Sequence, residues 1–276
     1  MKTGKSSSGF TLINLKDKKL FLFDIDGVLL TGMMEWETRV LGGYRLFSRL
    51  RKKGISYALL GSGSNWSTNE AWSYFRSLGF MITIEQLWLA SRVASHYLRE
   101  KLGKTKCLVV GEEGLKAELV KHGHRLTSNW REAEAVVVGH DRAISFKKLT
   151  AALRAINNKE AYFLAVNKVR WYYSPNHGPC LSPGAIVQCL EYQTGREAVV
   201  VGKPSLIHYQ TVLNQLKIKP DEAVMVGDSY EADIAPAHSL GITTVLVSSV
   251  QRWERNANGE ADLTVRNVDD LIEHIE

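Results

Sequence analysis

The chain has 276 residues, of which 45% are hydrophobic and 23% charged, so it is long enough for one large soluble domain or two smaller ones. No apolar stretch reaches the roughly 18 residues that a bilayer-spanning helix needs, and we expect no association with a membrane. Three widely spaced cysteines argue against a disulfide framework and favour a reducing, cytoplasmic environment. The net charge of +6 suits anionic small molecules. Because the lysines and arginines are scattered, nucleic acid is not an expected partner.

The N-terminal stretch is basic and rich in serine, and it lacks the apolar centre of a secretory signal. We predict that residues 1–18 are disordered. Targeting to an organelle is the alternative, since no acidic residue precedes Asp17.

Beyond this stretch, apolar runs alternate with amphipathic segments along the whole chain. In the first part we predict a strand at 20–24, a helix at 43–53, a strand at 55–60, a small-residue turn at 61–65 and a helix that ends near Leu78. In the middle we predict helices at 85–101, 114–122, 146–157 and 184–193, strands at 106–110, 135–139 and 162–166, and a polar, aromatic loop at 167–183. The last part carries strands at 198–201, 222–226 and 243–247.

Strand–helix alternation of this kind is typical of a doubly wound, Rossmann-like parallel sheet. The middle of the chain has a complete α/β pattern of its own but no paired carboxylates at its strand ends. We therefore predict an α/β protein with a core formed by 1–83 and 197–276 and an inserted α/β cap domain at 84–196. In such sheets, ligands bind at the carboxyl ends of the strands.

The most informative motif is Asp24-Ile25-Asp26-Gly27, directly after the first predicted strand. Residues i and i+2 of a strand point to the same side, so both carboxylates are expected near one point. Like charges that close repel unless a proton or a cation lies between them, and Mg2+ with its preference for oxygen ligands meets that need. One carboxylate can then attack phosphorus while the other handles the proton of the leaving group.

Three other strand ends carry groups that suit a phosphate ester. The turn at 61–65 can offer backbone amides and a hydroxyl to an anion. Lys203, between glycine and proline, offers a cation to developing negative charge. Asp228 and Asp233 are further carboxylates able to complete a magnesium site. This inventory matches phosphoryl transfer, which depends mainly on positioning and charge neutralisation.

Each of these segments alone is ordinary. A DxDG segment in isolation is more often a surface turn or a calcium-type loop, and the segments GKP and GDS are common. Their occurrence in this order, each behind an apolar strand, is what indicates an active site.

The sequence resembles the phosphatases of the haloacid dehalogenase superfamily, in the branch that has a large α/β cap inserted after the second motif. Relatives of this kind include p-nitrophenylphosphatase-like, nucleotide, phosphoglycolate and pyridoxal phosphate phosphatases. The matching segments are FDIDGVL, VVGKPS ending at Ser205 and VMVGDSYEADI ending at Ile234, together with CLVVGEEGLKAEL in the cap. The resemblance covers nearly the whole chain after residue 18.

The resemblance implies a role for each acidic motif residue. Asp24 is the nucleophile and a Mg2+ ligand, and Asp26 is the general acid and base, with its backbone carbonyl on the metal. Lys203 steadies the phosphoryl group. Asp228 binds the metal directly, and Asp233 supports the metal site indirectly. The presence of Asp26 argues against dehalogenase chemistry.

The chain departs from the family pattern at the second motif. Relatives carry Thr-Asn-Asn-Ser there, whereas Gly61 stands in the place of the threonine and Ser62 in that of the first asparagine. We assign Gly61, Ser62 and Gly63 to phosphate binding through backbone amides, with Ser62 or Ser64 as alternative sources of the hydroxyl. One lost phosphate hydrogen bond costs about 1–3 kcal/mol, which slows turnover without abolishing it.

The cap contains the second departure. Val169 stands where relatives carry an acidic residue, so their substrates cannot be transferred to this chain. Tyr172 falls close to a substrate-contacting position of relatives, and we assign it to substrate binding, with packing as the alternative. Met33, Met34 and Trp36 follow the first motif, and we expect them to line the entrance between core and cap, with contact to the substrate left open.

We predict a Mg2+-dependent phosphatase that hydrolyses a small phosphate monoester through an aspartyl-phosphate intermediate. The aromatic cap loop favours a phosphorylated metabolite with a ring. A catalytically weak or inactive binding or regulatory protein is one alternative, motivated by the two departures. A phosphotransferase that uses the same residues is another. The resemblance also suggests a homodimer formed through the cap, by analogy.

Overall fold

The computed structural model describes residues 15–32, 38–174, 177–248 and 261–276, without the side chains of residues 173 and 174. The predicted disorder of residues 1–14 and the roles considered for Met33, Met34 and Trp36 lie outside these ranges. Ordered structure begins earlier than residue 19, because Leu15 is fully buried and its amide donates a hydrogen bond to the carbonyl of His274 at 3.3 Å.

Helices and short strands alternate through the described chain. The strands are β1 (Leu20–Asp24), β2 (Leu30–Thr31), β3 (Arg39–Val40), β4 (Ser56–Gly61), β5 (Leu87–Leu89), β6 (Lys106–Val110), β7 (Arg125–Leu126), β8 (Ala135–Val138), β9 (Tyr162–Ala165), β10 (Trp171–Ser174), β11 (Gly178–Leu181), β12 (Val199–Val200), β13 (Ala223–Gly227), β14 (Thr243–Val247) and β15 (Leu263–Val265). The helices are α1 (Tyr44–Lys52), α2 (Thr68–Ser77), α3 (Ala90–Leu102), α4 (Glu113–Lys121), α5 (Phe146–Asn158), α6 (Pro183–Thr194), α7 (Leu206–Leu216), α8 (Ala235–Ser239) and α9 (Ile272–Ile275). Within the described ranges, no helix has both the length and the hydropathy that a bilayer-spanning segment requires.

The chain divides into two compact units. Of the described residues, the first unit holds 15–32, 39–57, 218–248 and 261–276, and the second holds 38, 58–174 and 177–217. The second unit includes α2 because this helix contacts the segment that follows it: the amide of Thr68 donates to Glu118 Oε1 at 2.8 Å. The domain limits predicted from the sequence, at 83/84 and 196/197, stay a prediction.

The first unit contains parallel strands in the order β15-β14-β13-β1. Strand β4 begins beside β1, where the amide of Ser56 donates to the carbonyl of Lys19 at 3.1 Å. All five residues of β1 and of β13 are buried, as expected for parallel strands covered on both faces. Helix α1 packs its apolar face on this unit, and the ring of Phe47 stacks on Tyr57 with 4.4 Å between centroids.

The second unit contains a parallel sheet of its own, in the order β12-β9-β8-β6-β7. Residues of β6, β8, β9, α5 and α6 form a buried apolar cluster that includes Val136, Ile156 and Leu190. Strand β4 continues into this unit and pairs in parallel with β5. The α/β class with parallel sheets predicted from the sequence is confirmed, and the middle of the chain has the separate α/β pattern expected of it.

Three elements differ from the sequence prediction. The helix predicted from residue 85 begins at Ala90, because Leu87–Leu89 pairs with β4 as a buried strand. The loop predicted at 167–183 contains the antiparallel pair β10 and β11, in which Trp171 lies opposite Leu181. Cross-strand pairs of large side chains stabilise such hairpins. Helix α7 was not predicted. It begins at Leu206, directly after the N-cap residue Ser205, whose hydroxyl accepts a hydrogen bond from the amide of Ile207.

Burial of a histidine in α7 predicts a loss of stability in acid. His208 is fully buried, and burial, followed by the positive charge of Lys203, lowers its pKa from 6.5 to about 3. Between these two values the unfolded chain binds a proton that the folded chain excludes. The free energy of unfolding therefore falls as the pH falls, by about 1.4 kcal/mol per pH unit from this group.

We expect His208→Leu to make the free energy of unfolding less dependent on pH between about pH 6.5 and pH 4, as measured by urea unfolding. His177→Leu, at an exposed position, is the matched control and should leave the pH dependence unchanged. Equal slopes for the wild type and His208→Leu would contradict the prediction.

Candidate active site

Three carboxylates converge at one edge of the first unit. Asp24 is the last residue of β1, and Asp228 directly follows β13, the neighbouring parallel strand. Asp233 lies in the π-helical turn Tyr230–Ile234 that comes next. One oxygen of each carboxylate lies within 4.8 Å of the others. The sequence predicted that Asp24, Asp228 and Asp233 belong to one site, with Asp233 as an indirect support, and the structure brings all three carboxylates together.

Two glycines leave the space that these carboxylates occupy. A Cβ atom at Gly27 would collide with the carboxylate of Asp228, and Gly27 also has a φ of +90°, which L side chains rarely adopt. A Cβ atom at Gly227 would collide with the side chain of Asp233. The close approach of the acids to the backbone therefore depends on glycine at both positions.

The carboxylate cluster fits a hard divalent cation. Asp24 is buried and Asp233 is fully buried, so their mutual repulsion is poorly screened by water. The amide of Ser229 donates to Asp233 Oδ2 at 3.3 Å, which orients that carboxylate. Ligands that are all oxygen, from carboxylates, are those that Mg2+ and similar ions prefer. Asp24, Asp228 and Asp233 are the residues that would hold such an ion.

Asp26 differs from Asp24 in its environment. Strand β1 ends at Asp24, and Asp26 is exposed at the start of a turn in which the amide of Gly27 donates to the carbonyl of Leu30 at 2.7 Å. The alternation of a strand, on which the sequence prediction relied, therefore stops between the two acids. A buried carboxylate and an exposed one suit different tasks, since only the exposed one exchanges protons directly with solvent.

The turn after β4 lies in the second unit, and its two serines have different contacts. The carbonyl of Ser62 accepts a hydrogen bond from Asn167 Nδ2 at 2.9 Å. The hydroxyl of Ser64 is buried and accepts from the amide of His140 at 3.0 Å, and a Cβ atom at Gly139 would lie 2.9 Å from it. The hydroxyl of Ser64 therefore ties this turn to the end of β8, and the carbonyl of Ser62 ties it to the end of β9. No described contact occupies the hydroxyl of Ser62, which makes it the better source of a hydroxyl for a ligand.

Lys203 is a buried cation just ahead of α7 in the second unit. A Cβ atom at the preceding Gly202 would collide with the carbonyl of Val166, so glycine allows this segment to lie against the end of β9. Lys203 lines a pocket of about 880 Å³, together with the loop at 168–170, the first turns of α6, Val200 and the residues before α7.

The two cap residues singled out by the sequence, Val169 and Tyr172, lie in different environments. Val169 lines the pocket, whereas the described lining does not include Tyr172. The ring of Tyr172 lies 5.9 Å from that of His140, between centroids. Sequence reasoning missed His140 and Asn167 as contacts of the second-motif turn, although both directly follow predicted strands, which was the available signal.

Comparison with known proteins places these observations in a family. A family model of haloacid dehalogenase-like hydrolases matches residues 21–125, and a second, HAD-hydrolase-like model matches residues 200–271. Chronophin of Mus musculus is 33% identical over 273 residues, which cover 92% of this chain and 92% of that protein. Dihydroxyacetone phosphatase of Corynebacterium glutamicum is 28% identical over 229 residues, 83% of this chain and 80% of that protein. The solved structure of p-nitrophenyl phosphatase from Archaeoglobus fulgidus is similar with a TM-score of 0.83 and 28% identity, and the match covers 93% of this chain and 99% of that one.

The chain belongs to the haloacid dehalogenase-like hydrolases. Its relatives include named phosphatases, and the chain is an enzyme of that kind. The family, the fold class and the enzyme class expected from the sequence are therefore confirmed. Phosphatases of this family generally use a divalent metal, and the carboxylate cluster provides ligands for one.

The space beside Asp228 gives a test of the metal site. We expect Gly27→Ala to weaken the binding of Mg2+ at least about tenfold, because the added methyl group displaces a carboxylate of the cluster. Titration calorimetry with MgCl2, and with MnCl2 as a second probe, measures the effect.

Gly54→Ala is the matched control, since Gly54 also has a positive φ, of +69°, but its Cβ atom would meet nothing within 4 Å. Both variants should lose about 1 kcal/mol of stability from backbone strain. Only Gly27→Ala should lose metal affinity, and equal affinities in the two variants would disprove the assignment.

Proposed function

We propose that this protein is a Mg2+-dependent phosphatase that hydrolyses a small phosphate monoester through an aspartyl-phosphate intermediate. The observation that carries the proposal is the convergence of Asp24, Asp228 and Asp233 at the carboxyl ends of two adjacent parallel strands. Ligands bind at this edge of doubly wound sheets. Buried carboxylates so close together suit a site that holds a cation and an anionic substrate.

In the first step, a carboxylate oxygen of Asp24 forms a bond to phosphorus while the bond from phosphorus to the ester oxygen breaks. The carboxyl group of Asp26 gives its proton to the leaving oxygen, and the alcohol departs. In the second step, Asp26 takes a proton from water as the water oxygen attacks phosphorus. Asp24 and inorganic phosphate are released. The exposure of Asp26 supports this role, because the group must exchange protons with water.

Two further groups complete the proposal. Lys203 neutralises charge on the phosphoryl group, and amides of Gly61, Ser62 and Gly63 bind its oxygens. A bound Mg2+ supplies Lewis-acid polarisation of the phosphoryl oxygens and offsets the repulsion between substrate and carboxylates. Asp24, Asp228 and the backbone carbonyl of Asp26 are its proposed ligands, and the position of Asp233 in the cluster supports a contribution from that residue as well.

The substrate is proposed to be a small phosphorylated metabolite. Similar proteins bear the names dihydroxyacetone phosphatase, 5'-nucleotidase and glycerol-3-phosphate phosphatase. Each name describes activity on a small phosphate ester. The altered turn at Gly61 and Ser62 predicts slower turnover than in relatives with a threonine there. A homodimer through the cap and a cytoplasmic location stay predictions from the resemblance and the composition.

The first test is release of p-nitrophenol from p-nitrophenyl phosphate, with MgCl2 and with excess EDTA. We expect turnover only with the metal, and a loss of at least about 1,000-fold in Asp24→Asn, because the amide cannot attack phosphorus. Quenching in acid should trap phosphate on the wild-type chain and not on the variant.

Asp17→Asn changes an exposed aspartate in the same way and should retain full activity. Turnover that survives in Asp24→Asn, or in EDTA, would overturn the proposed mechanism. Phosphate transferred to added glycerol in preference to water would point instead to the phosphotransferase alternative.

A further inference from the structure

The pocket beside Lys203 has positive charge and no acidic group in its described lining. Three of its residues are cations, namely Lys168, Arg170 and Lys203. With a volume of about 880 Å³ it lies near the upper end of the range for small-molecule sites, so it has room for more than a phosphoryl group.

The N-terminal ends of two helices line this pocket. Gly184, Ala185 and Gln188 of α6 line it, and so does Ser205, the N-cap residue of α7. The N-terminus of a helix carries about half a positive charge, which Asp or Glu in the first turn usually offsets. Neither α6 nor α7 has an acidic residue in its first turn. Both helices therefore add to the positive potential of the pocket.

The charge of Arg170 is not balanced within the described chain. Lys168 Nζ forms an ion pair with Glu191 Oε2 at 2.6 Å, so its charge is compensated. The guanidinium of Arg170 is exposed and makes no hydrogen bond or ion pair with any described residue. An arginine in this situation is suited to bind a carboxylate or a phosphate with two parallel hydrogen bonds.

The loop that carries Arg170 is fixed in place. The amide of Gly184 donates to the carbonyl of Val169 at 2.9 Å, and a Cβ atom at Gly184 would collide with that carbonyl. The side chain of Asn167 accepts from the amide of Val169 at 3.2 Å. Because these contacts hold both backbone groups of Val169, the residue before Arg170, the backbone of this loop is positioned by the protein itself and not by a ligand.

The uncharged side chains of the lining are mainly aliphatic. Val169, Val200, Ala185 and Pro204 line the pocket, and the described lining includes neither Trp171 nor Tyr172. Such a surface suits a short carbon chain better than a stacked aromatic ring. The pocket therefore offers two cations, Lys203 and Arg170, together with an aliphatic surface.

We propose that Arg170, in the field of the α6 and α7 N-termini, binds a second anionic group on the leaving part of the substrate. The preferred substrate is then an aliphatic phosphate monoester that also carries a carboxylate or a second phosphate. This inference rests on the proposed function, because it takes the phosphoryl group to lie at Lys203. It replaces recognition of a ring by the aromatic cap loop, which the sequence favoured, with recognition of a second anionic group.

Matched pairs of substrates test the inference. 3-Phosphoglycerate and glycerol 3-phosphate differ only in a carboxylate against a hydroxymethyl group, and fructose 1,6-bisphosphate and fructose 6-phosphate differ only in the second phosphate. The readout is the ratio of kcat/KM within each pair, since a folding defect lowers both values and leaves their ratio unchanged. In at least one pair, we expect a ratio of about ten or more in favour of the member with two anionic groups, mainly through KM. The pair that shows it identifies the second anion.

Arg170→Gln should lower that ratio about tenfold, towards one. Arg154→Gln is the control, an exposed arginine on α5 outside the pocket lining, and should keep the wild-type ratio. A wild type that does not discriminate within either pair, or a ratio that survives in Arg170→Gln, overturns the inference while leaving the proposed phosphatase intact.

Binding measurements distinguish a failure of this inference from a failure of the proposed function. If the wild type hydrolyses neither p-nitrophenyl phosphate nor the four metabolites, titration calorimetry on the same protein compares the binding of the members of each pair. If the member with two anionic groups binds more tightly, and Arg170→Gln removes this preference, the subsite is supported even without catalysis. Equal binding within both pairs rejects it.

Discussion

Mutual repulsion among three carboxylates is the constraint on which the first unit depends. Asp24 and Asp228 end adjacent parallel strands, and Asp233 returns to them from the following turn. Most folds avoid burying acids together, because each charged form loses its hydration and gains a like neighbour. The arrangement is stable where a cation is bound, so metal binding and the native geometry of this edge are expected to be coupled.

Glycine provides the room for this arrangement. Gly27 and Gly227 lie where any side chain would displace a carboxylate. The second unit uses glycine in the same way, since Gly202 and Gly184 let loop backbones approach the end of β9 and the start of α6. Close backbone approach at these four points sets the positions of the acids, of Lys203 and of the loop that carries Arg170.

The two units differ in their electrostatics. The described edge of the first unit concentrates negative charge, which suits a metal ion. The pocket of the second unit concentrates positive charge from side chains and from two helix N-termini, which suits anions. The net charge of +6 reflects neither site, because it averages over scattered surface residues.

The α/β class and the positions of the main strands along the chain could be read from the sequence, because parallel strands buried on both faces leave apolar runs such as those that end at Asp24 and just before Asp228. The roles of the acidic motif residues stay predictions. The sequence did not reveal the strand at Leu87–Leu89 or the hairpin at 171–181, since short strands are stabilised by their partners and not by local pattern. The folded chain was needed to show how closely Asp233 approaches Asp24, that the hydroxyl of Ser64 accepts a hydrogen bond from the amide of His140, and that Arg170 and Lys203 line one pocket. These are contacts between residues far apart in the chain, and no local sequence pattern encodes such distances.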